Sequence, residues 1–520
     1  MGNLGFWTLA QNEPDWVALV EADGKEHRAG ELRAAADRLV HGLRARGLVP
    51  GDVIATVLPN GRAWVEVFLA VSQAGWYLTP INAHLAAPEI AHIVRDCEAR
   101  AFVVHARHRG SVMGAAADIP VPEQMRFAVG GGIPGFRPYA ELGEGQPDSQ
   151  PRDRRSGTTM HYTSGTTGRP KGVRRQLPAY DPDTYGELQT MLLNGLFGIP
   201  PREGNVHLVA APLNHTAVAQ FGGAALHSGH TLVLMDAWDP EEALGKIERY
   251  RCTYTHMVPT MFRRLLGLPE DVRKAHDISS MRWAIHGAAP CPTDVKQAML
   301  DWWGPVVYEY YGSTEGGGAV ATPEDWLARP GTVGKPWPVT ELRILDDAGE
   351  QVPTGAPGTV YMRMATADFD FEYKDDAEKT RAGRRDGFFT VGDIGYLDAD
   401  GYLYLCDRKA DVIISGGVNI YPAEIESEIL RHPGVSDVAV FGVPDDDWGE
   451  QIKAVVEPVP GAEAGEELAE GILASLDGRL AKLKWPKAID FIDVIPRDPY
   501  GKLIKRELRD RYWAGRDRAI

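Results

Sequence analysis

One run in this sequence is built for contact with an anion: Tyr162-Thr163-Ser164-Gly165-Thr166-Thr167-Gly168-Arg169-Pro170-Lys171-Gly172. Its glycines let backbone N–H groups approach phosphate oxygens closely. Thr163, Ser164, Thr166 and Thr167 add hydroxyl donors, and Lys171 adds positive charge. The spacing is not the G-x-x-x-x-G-K-[ST] of nucleotide hydrolases. A Ser/Gly linker is the plain alternative, and a run this specific argues against it. Further runs mix carboxylates, aromatics and glycines: Glu309-Tyr310-Tyr311-Gly312-Ser313-Thr314-Glu315, Phe389-Thr390-Val391-Gly392-Asp393, Asp407 through Glu426, and Gly501-Lys502.

These groups need a scaffold. Glu31 to Arg46 reads as an amphipathic helix, with Leu32, Ala35, Ala36, Leu39, Val40 and Leu43 on one face, ended by Gly47. Helices follow over Arg62–Gln73 and Ala87–Cys97, with strands at Asp52–Leu58, Tyr77–Pro80 and Ala101–His105. Such alternation indicates α/β layers with buried parallel strands. Gly130–Gly157 reads as a long surface connection. From Gly331 to Met364, short β runs with Gly-Pro turns suggest a small β-subdomain. Strands at Val438–Val443 and Ile452–Val459, with helices near Ala423–Leu430 and Glu466–Leu483, read as a separate small α+β domain.

Composition narrows the function class. The net charge of −17, from 55 Lys+Arg against 72 Asp+Glu over 520 residues, argues against general nucleic-acid binding, which needs a basic face. Ala481–Ile520 is locally basic, either a solvated helix face or a landing surface for a polyanionic small molecule. Cys97, Cys252, Cys291 and Cys406 form no C-x-x-C pair, which suits a reducing compartment. The N-terminus has no secretory pattern, Phe6 stands where myristoylation wants Ser or Thr, and no run is long enough to span a bilayer. A cytoplasmic protein is expected; a homodimer stays open.

The first run resembles the signature loop of the adenylate-forming superfamily, which includes acyl-CoA synthetases, peptide-synthetase adenylation domains and firefly-type luciferases. The other four runs resemble that family's later signatures, in order. The resemblance implies a large N-terminal domain, residues 1–408, of layered α/β plus a β-subdomain, and a small mobile α+β C-terminal domain, residues 409–520. It implies ATP, Mg²⁺ and coenzyme A. Gly287-Ala288-Ala289 would lie along adenine, Tyr310 and Tyr311 would pack on the purine beside Gly312, and Thr314 would bond the α-phosphate. Glu315 would hold magnesium, a hard cation that wants carboxylate oxygen. Asp393 would accept both ribose hydroxyls, assisted by Arg408. Lys502 would be the catalytic lysine of adenylation, and His215, in Pro212-Leu213-Asn214-His215, would stand where the acyl pocket begins. Ser415-Gly416-Gly417, with Trp448 nearby, resembles the loop lining the pantetheine tunnel of CoA ligases.

These readings point to a carboxylate–CoA ligase. A peptide-synthetase module, which usually carries an adjoining carrier domain, is not expected, as Ile520 leaves no room for one after Lys502; a ligase loading a carrier protein is the main alternative. A non-catalytic nucleotide-binding protein is the other, opposed by the presence of both Glu315 and Lys502. The segment Gly75–Asp96 resembles bacterial fatty-acid, bile-acid and steroid-acid CoA ligases. Gly222-Gly223 and Gly316-Gly317-Gly318 would open the acyl pocket to a bulky or extended hydrophobic acid. No Lys or Arg in 213–225 or 316–322 would pair a second carboxylate. The hinge is expected at Asp407–Asp411, with Lys409 or Ala410 as pivot.

Overall fold

The computed structural model describes residues 4–116, 118–163, 170–365, 370–416, 418–445, 447–497 and 503–513. Two largely parallel sheets carry the N-terminal part. One has the order 137–138, Arg126–Val129, Ala99–His105, Val53–Val57, Tyr77–Pro80, 158–159, parallel throughout. Val53–Val57 is buried at every position, as a strand covered on both faces must be. The other sheet runs Val206–Val209, Tyr254–Met257, Trp283–His286 and Val307–Gly312 in parallel, then turns antiparallel at Gly318–Ala321. Both share one hydrophobic core.

The predicted helices form over Ala29–Ala45, Arg62–Ala74 and Ala87–Asp96. Gly75, at φ 74°, ends the second in the left-handed region that glycine enters freely. One helix is shorter than the sequence suggested. The segment expected as Glu466–Leu483 is helical only over Glu466–Ser475, because Gly478 takes φ 73° and turns the chain. The predicted surface connection contains the short strand 137–138 on the sheet edge and the turn Tyr139–Leu142.

Two smaller sheets frame the site. Lys171–Arg175 pairs antiparallel with His161–Thr163 and with Phe371–Tyr373. Gly358–Met364 pairs with Thr340–Leu345 and leads, through Asp393–Leu397, to Leu403–Arg408. Beyond them, Ile413–Ser415, Val418–Ile420, Val435–Asp445, Gly449–Pro458 and Ala488–Phe491 form a sheet with its own core, making the smaller C-terminal domain. It meets the large domain where Arg263 donates to the Ser436 carbonyl at 2.5 Å and approaches Asp437, which also holds Arg497. No described helix is long and apolar enough to cross a membrane.

Val307–Gly312 is anchored by a buried ion pair: Lys296 Nζ donates to Glu309 Oε2 at 2.7 Å, and neither side chain reaches solvent appreciably. Burial pushes the Glu309 carboxyl up and the Lys296 ammonium down, and each charge opposes the shift of the other. Removing one partner of such a pair strands a charge in the core. Lys296→Met should therefore destabilise the fold by ~3–5 kcal/mol, and adding Glu309→Gln should recover most of the loss. Urea unfolding of the single and double variants measures this; equal losses in both would mean the pair is not the anchor.

Candidate active site

The parallel strands end on one edge, and in such sheets ligands bind beyond the carboxyl ends of the strands. Here the edge carries Leu213–His215, Gly287–Ala289 and Ser313–Gly316. Asn60 staples the first of these loops, donating to the Ala211 and Met235 carbonyls at 3.0 and 2.9 Å and accepting from the Leu213 N–H at 2.8 Å. Sequence reading did not single out Asn60; its setting in Pro59-Asn60-Gly61, a turn signal after a strand, was the available one.

Strand alternation divides the tyrosine pair. Tyr311 faces the β-subdomain, and its hydroxyl donates to Asp393 Oδ2 at 2.7 Å. Tyr310 faces the opposite side, where its hydroxyl meets His256 Nε2 at 3.0 Å and its ring lies near Phe221. The two rings therefore cannot pack on one purine, because successive side chains leave a strand on opposite faces. Tyr311, beside Asp393, is the one placed with the sugar-binding candidate. Gly287 is needed on the other side: a Cβ there would fall 2.6 Å from the Tyr310 ring. Ala288 next to it holds φ 68°, a conformation rare for a residue with a side chain.

Asp393 follows Gly392, which has φ 85°, and pairs across the strands with Arg408, whose Nε lies 3.4 Å from Asp393 Oδ1. Glu315 is buried and accepts from the Tyr373 hydroxyl at 2.7 Å. Burial first, and the adjacent Glu315 carboxylate second, raise the Tyr373 phenol, so it stays a donor. Lys171 stands directly across the hairpin from Thr163 and pairs with Asp376. Ser164, Gly165, Thr166, Thr167 and Gly168 lie outside the described residues, as do Gly417 and Lys502. Thr314 meets Thr216, the first residue of the helix Thr216–His227, at 3.2 Å between hydroxyl oxygens, and His215 is that helix's N-cap. Thr314 O accepts from Arg175, a cation that sequence reading did not single out.

The glycines expected to open an acyl pocket mostly serve packing. A Cβ on Gly223 would fall 2.7 Å from the Phe68 ring, one on Gly222 3.2 Å from Leu213, and one on Gly318 2.0 Å from the Tyr311 carbonyl. Gly316 is the exception: a Cβ there would meet Met364 and Arg175 only at ordinary contact distances, 3.7 and 4.0 Å, though its φ of 122° still calls for glycine.

On the C-terminal sheet the structure joins Ser415, Gly416 and Trp448. Ser415 pairs with Gly449, the Gly416 N–H donates to the Trp448 carbonyl at 2.9 Å, and a Cβ on Gly416 would collide with the indole at 2.5 Å. Trp448 is 62% exposed, with Ile414 and Val418 also open. Cys97, Cys252, Cys291 and Cys406 are free thiols.

A fold with two largely parallel sheets, a β-subdomain and a smaller C-terminal domain around this edge defines an adenylate-forming enzyme. Residues 6–367 match the AMP-binding enzyme family and residues 424–502 match the AMP-binding enzyme C-terminal domain. The chain belongs to the AMP-binding enzyme family, in the company of AMP-forming acyl-CoA ligases. It is 35% identical to a feruloyl-CoA synthase of Amycolatopsis sp over 515 residues, covering 98% of this chain and 99% of the relative. It is 31% identical to the fatty acid–[acyl-carrier-protein] ligase ScoC of Streptomyces coeruleorubidus over 518 residues, 98% of this chain and 96% of the relative. Among solved structures, the anthranilate CoA ligase AuaEII in complex with anthranoyl-AMP superposes with TM-score 0.84 at 26% identity, covering 98% of this chain and 96% of that one.

Beneath the edge, burial holds His161 and His256 at about 3 and His230 at about 4, far below ordinary histidine. These rings are neutral when folded and take a proton on unfolding below about pH 6.5. The unfolded chain thus binds more protons, and stability falls as pH falls from 6.5 toward 3 or 4. His256→Phe should flatten this dependence by ~1.4 kcal/mol per pH unit between pH 6 and 4, the slope of one proton. Urea unfolding at several pH values reads it; an unchanged slope would place the titration elsewhere.

Proposed function

We propose that this chain is an ATP-dependent carboxylate–CoA ligase with residues 1–408 as the adenylating domain and 409–520 as the lid. A carboxylate oxygen attacks the α-phosphorus of ATP, the bond to the β-phosphate oxygen breaks, and pyrophosphate leaves. The coenzyme A thiol, releasing its proton to solvent, then attacks the acyl carbon, the bond from that carbon to the phosphate oxygen breaks, and AMP leaves. The observation that carries this reading is the convergence of Tyr311, Asp393, Arg408 and Glu315 with Thr314 at one sheet edge, since ribose, metal and α-phosphate candidates must meet there for adenylation.

Asp393 receives the ribose hydroxyls, which a carboxylate can accept together. Its bond from Tyr311 and its pairing with Arg408 fix its direction. Glu315, held by Tyr373, fits Mg²⁺, which commonly takes one or two carboxylates plus substrate phosphates; the ion would neutralise phosphate charge. Thr314 meets the α-phosphate, with His215 at the acyl entrance and Lys171 with the Thr163–Gly168 loop on the outer phosphates. Lys502 supplies a charge felt mainly as the carboxylate closes on phosphorus. Adenylation requires no general base, because a carboxylic acid is already ionised at neutral pH.

The acid is a hydrophobic one, aromatic or chain-like, a reading supported by the feruloyl and fatty-acid relatives and no longer by the glycine pairs. Coenzyme A is favoured over a carrier protein by the feruloyl-CoA synthase relative and by the likeness of the Ser415–Gly417 loop to that of CoA ligases. ScoC supports the carrier-protein reading as the second possibility. Free thiols throughout fit a cytoplasmic setting. Because Lys502 and the Ser415–Gly417 loop both belong to the lid, it must present them in turn, pivoting near Lys409–Asp411.

Acid-dependent ATP–pyrophosphate exchange followed by CoA-dependent AMP release tests the function. Exchange without CoA-dependent release would favour carrier loading, and neither activity with any acid would sink the ligase. Lys502→Ala should slow adenylation by about a hundredfold or more while sparing nucleotide affinity, as expected of a group acting in the transition state. Exchange within a few-fold of wild type would remove Lys502 from that role.

A further inference from the structure

Arg175 is the last residue of the strand Lys171–Arg175, and its backbone is fixed there by the Tyr77 hydroxyl, which donates to the Arg175 carbonyl at 2.7 Å. Alternation along the strand separates it from Arg174, whose guanidinium lies over the Tyr77 ring at 5.0 Å. Arg175 turns instead toward the catalytic loop, where one Nη2–H is given to the Thr314 carbonyl. Two other cations at the site have carboxylate partners: Lys171 has Asp376 and Arg408 has Asp393. Among the described residues no carboxylate forms an ion pair with Arg175; Glu315 acts on it only at longer range and is itself bonded by Tyr373. Burial disfavours the Arg175 charge, yet a guanidinium stays protonated in proteins, so a charge kept here calls for an anion.

Gly316, at φ 122°, keeps side-chain bulk away from this fork. A Cβ on Gly316 would be 4.0 Å from Arg175 Nη2 and 3.7 Å from Met364, the one position in the Gly316–Gly318 run without a tight neighbour. Thr314 is shared: its carbonyl binds Arg175, and its hydroxyl touches Thr216 at the start of the 12-residue helix Thr216–His227. The positive end of that helix and the Arg175 fork thus flank one residue, Thr314, the candidate for contact with the α-phosphate.

We propose that Arg175 is a substrate-binding residue that receives the carboxylate of the incoming acid beside Thr314. This rests on the ligase reading above. A planar fork with donors to spare matches a planar carboxylate, which a lysine cannot match with two parallel bonds. The arrangement holds the acid's carboxylate next to the α-phosphate before reaction and gives an uncharged analogue, such as the amide, no comparable hold.

The test uses the full-length enzyme and the best acid found for wild type. Pyrophosphate exchange is measured with acid varied at saturating Mg-ATP, then with ATP varied at saturating acid. Arg175→Met should raise KM for the acid by ~10–100-fold, the loss of a charge-assisted hydrogen bond, with KM for ATP within about threefold of wild type. Arg175→Lys, which keeps charge and bulk and guards against a folding defect in the first variant, should recover part of that loss. An acid KM within about threefold of wild type in the Met variant would overturn the proposal. So would a parallel rise in both KM values, because a brace that merely shapes the Thr314 loop disturbs nucleotide and acid together. If wild type shows no exchange with any acid, the ligase reading fails, which is a different result from normal exchange with Arg175 silent.

Discussion

The site hangs on one strand, Val307–Gly312, and that strand is held in depth by the bond between Lys296 and Glu309. Two opposite charges in a core are an uncommon way to fix a position, since desolvation offsets most of their attraction. Their value here is register. A strand that slipped by one residue would exchange its faces. Tyr311 would then leave Asp393, Tyr310 would leave His256, and Thr314 with Glu315 would be carried out of line. A packed apolar side chain tolerates a slip better than a buried carboxylate that has only one ammonium in reach.

From that strand the site is assembled by long-range contacts. Asp393 comes from 82 positions later in the chain than its partner Tyr311, and Tyr373 reaches Glu315 across 58. Asn60 ties the first sheet's turn to the loop before His215 across 153. Beneath the edge, burial keeps the His161 and His256 rings neutral, while Glu315, Asp393, Arg175 and Arg408 stand at the edge itself. Charge is thereby concentrated where a nucleotide and a carboxylate would sit, in a chain whose overall balance is strongly acidic.

The fold class was readable because apolar strands such as Val53–Val57 alternate with helices, the first of them amphipathic over Ala29–Ala45. The helix after Glu466 was overread, since apolar spacing continues past Gly478 and only the backbone turn there stops it. Glu315 and Asp393 were chosen as candidates only through the resemblance of their runs to the family's signatures, since a carboxylate beside glycine is by itself no more than a turn signal. Tyr310 and Tyr311 were read as one unit, and the alternation of the strand divides them. Gly222 and Gly223 were read as empty volume, yet Leu213 and Phe68 occupy the space that their side chains would have taken. Arg175 and Tyr373 were missed because each lies in an unremarkable strand. What brings them to the loop is the pairing of Lys171–Arg175 with Phe371–Tyr373, a contact between segments about 200 residues apart with no local signature.

The central claim is that this edge makes an acyl-adenylate before any thiol arrives. A single-turnover quench with enzyme in excess over Mg-ATP, acid present and coenzyme A withheld, tests it most directly. The account predicts that acyl-AMP accumulates on the enzyme as pyrophosphate is released, and that adding coenzyme A converts it to acyl-CoA and AMP. Pyrophosphate release that waits for coenzyme A, or an acyl-AMP that coenzyme A leaves untouched, would contradict it.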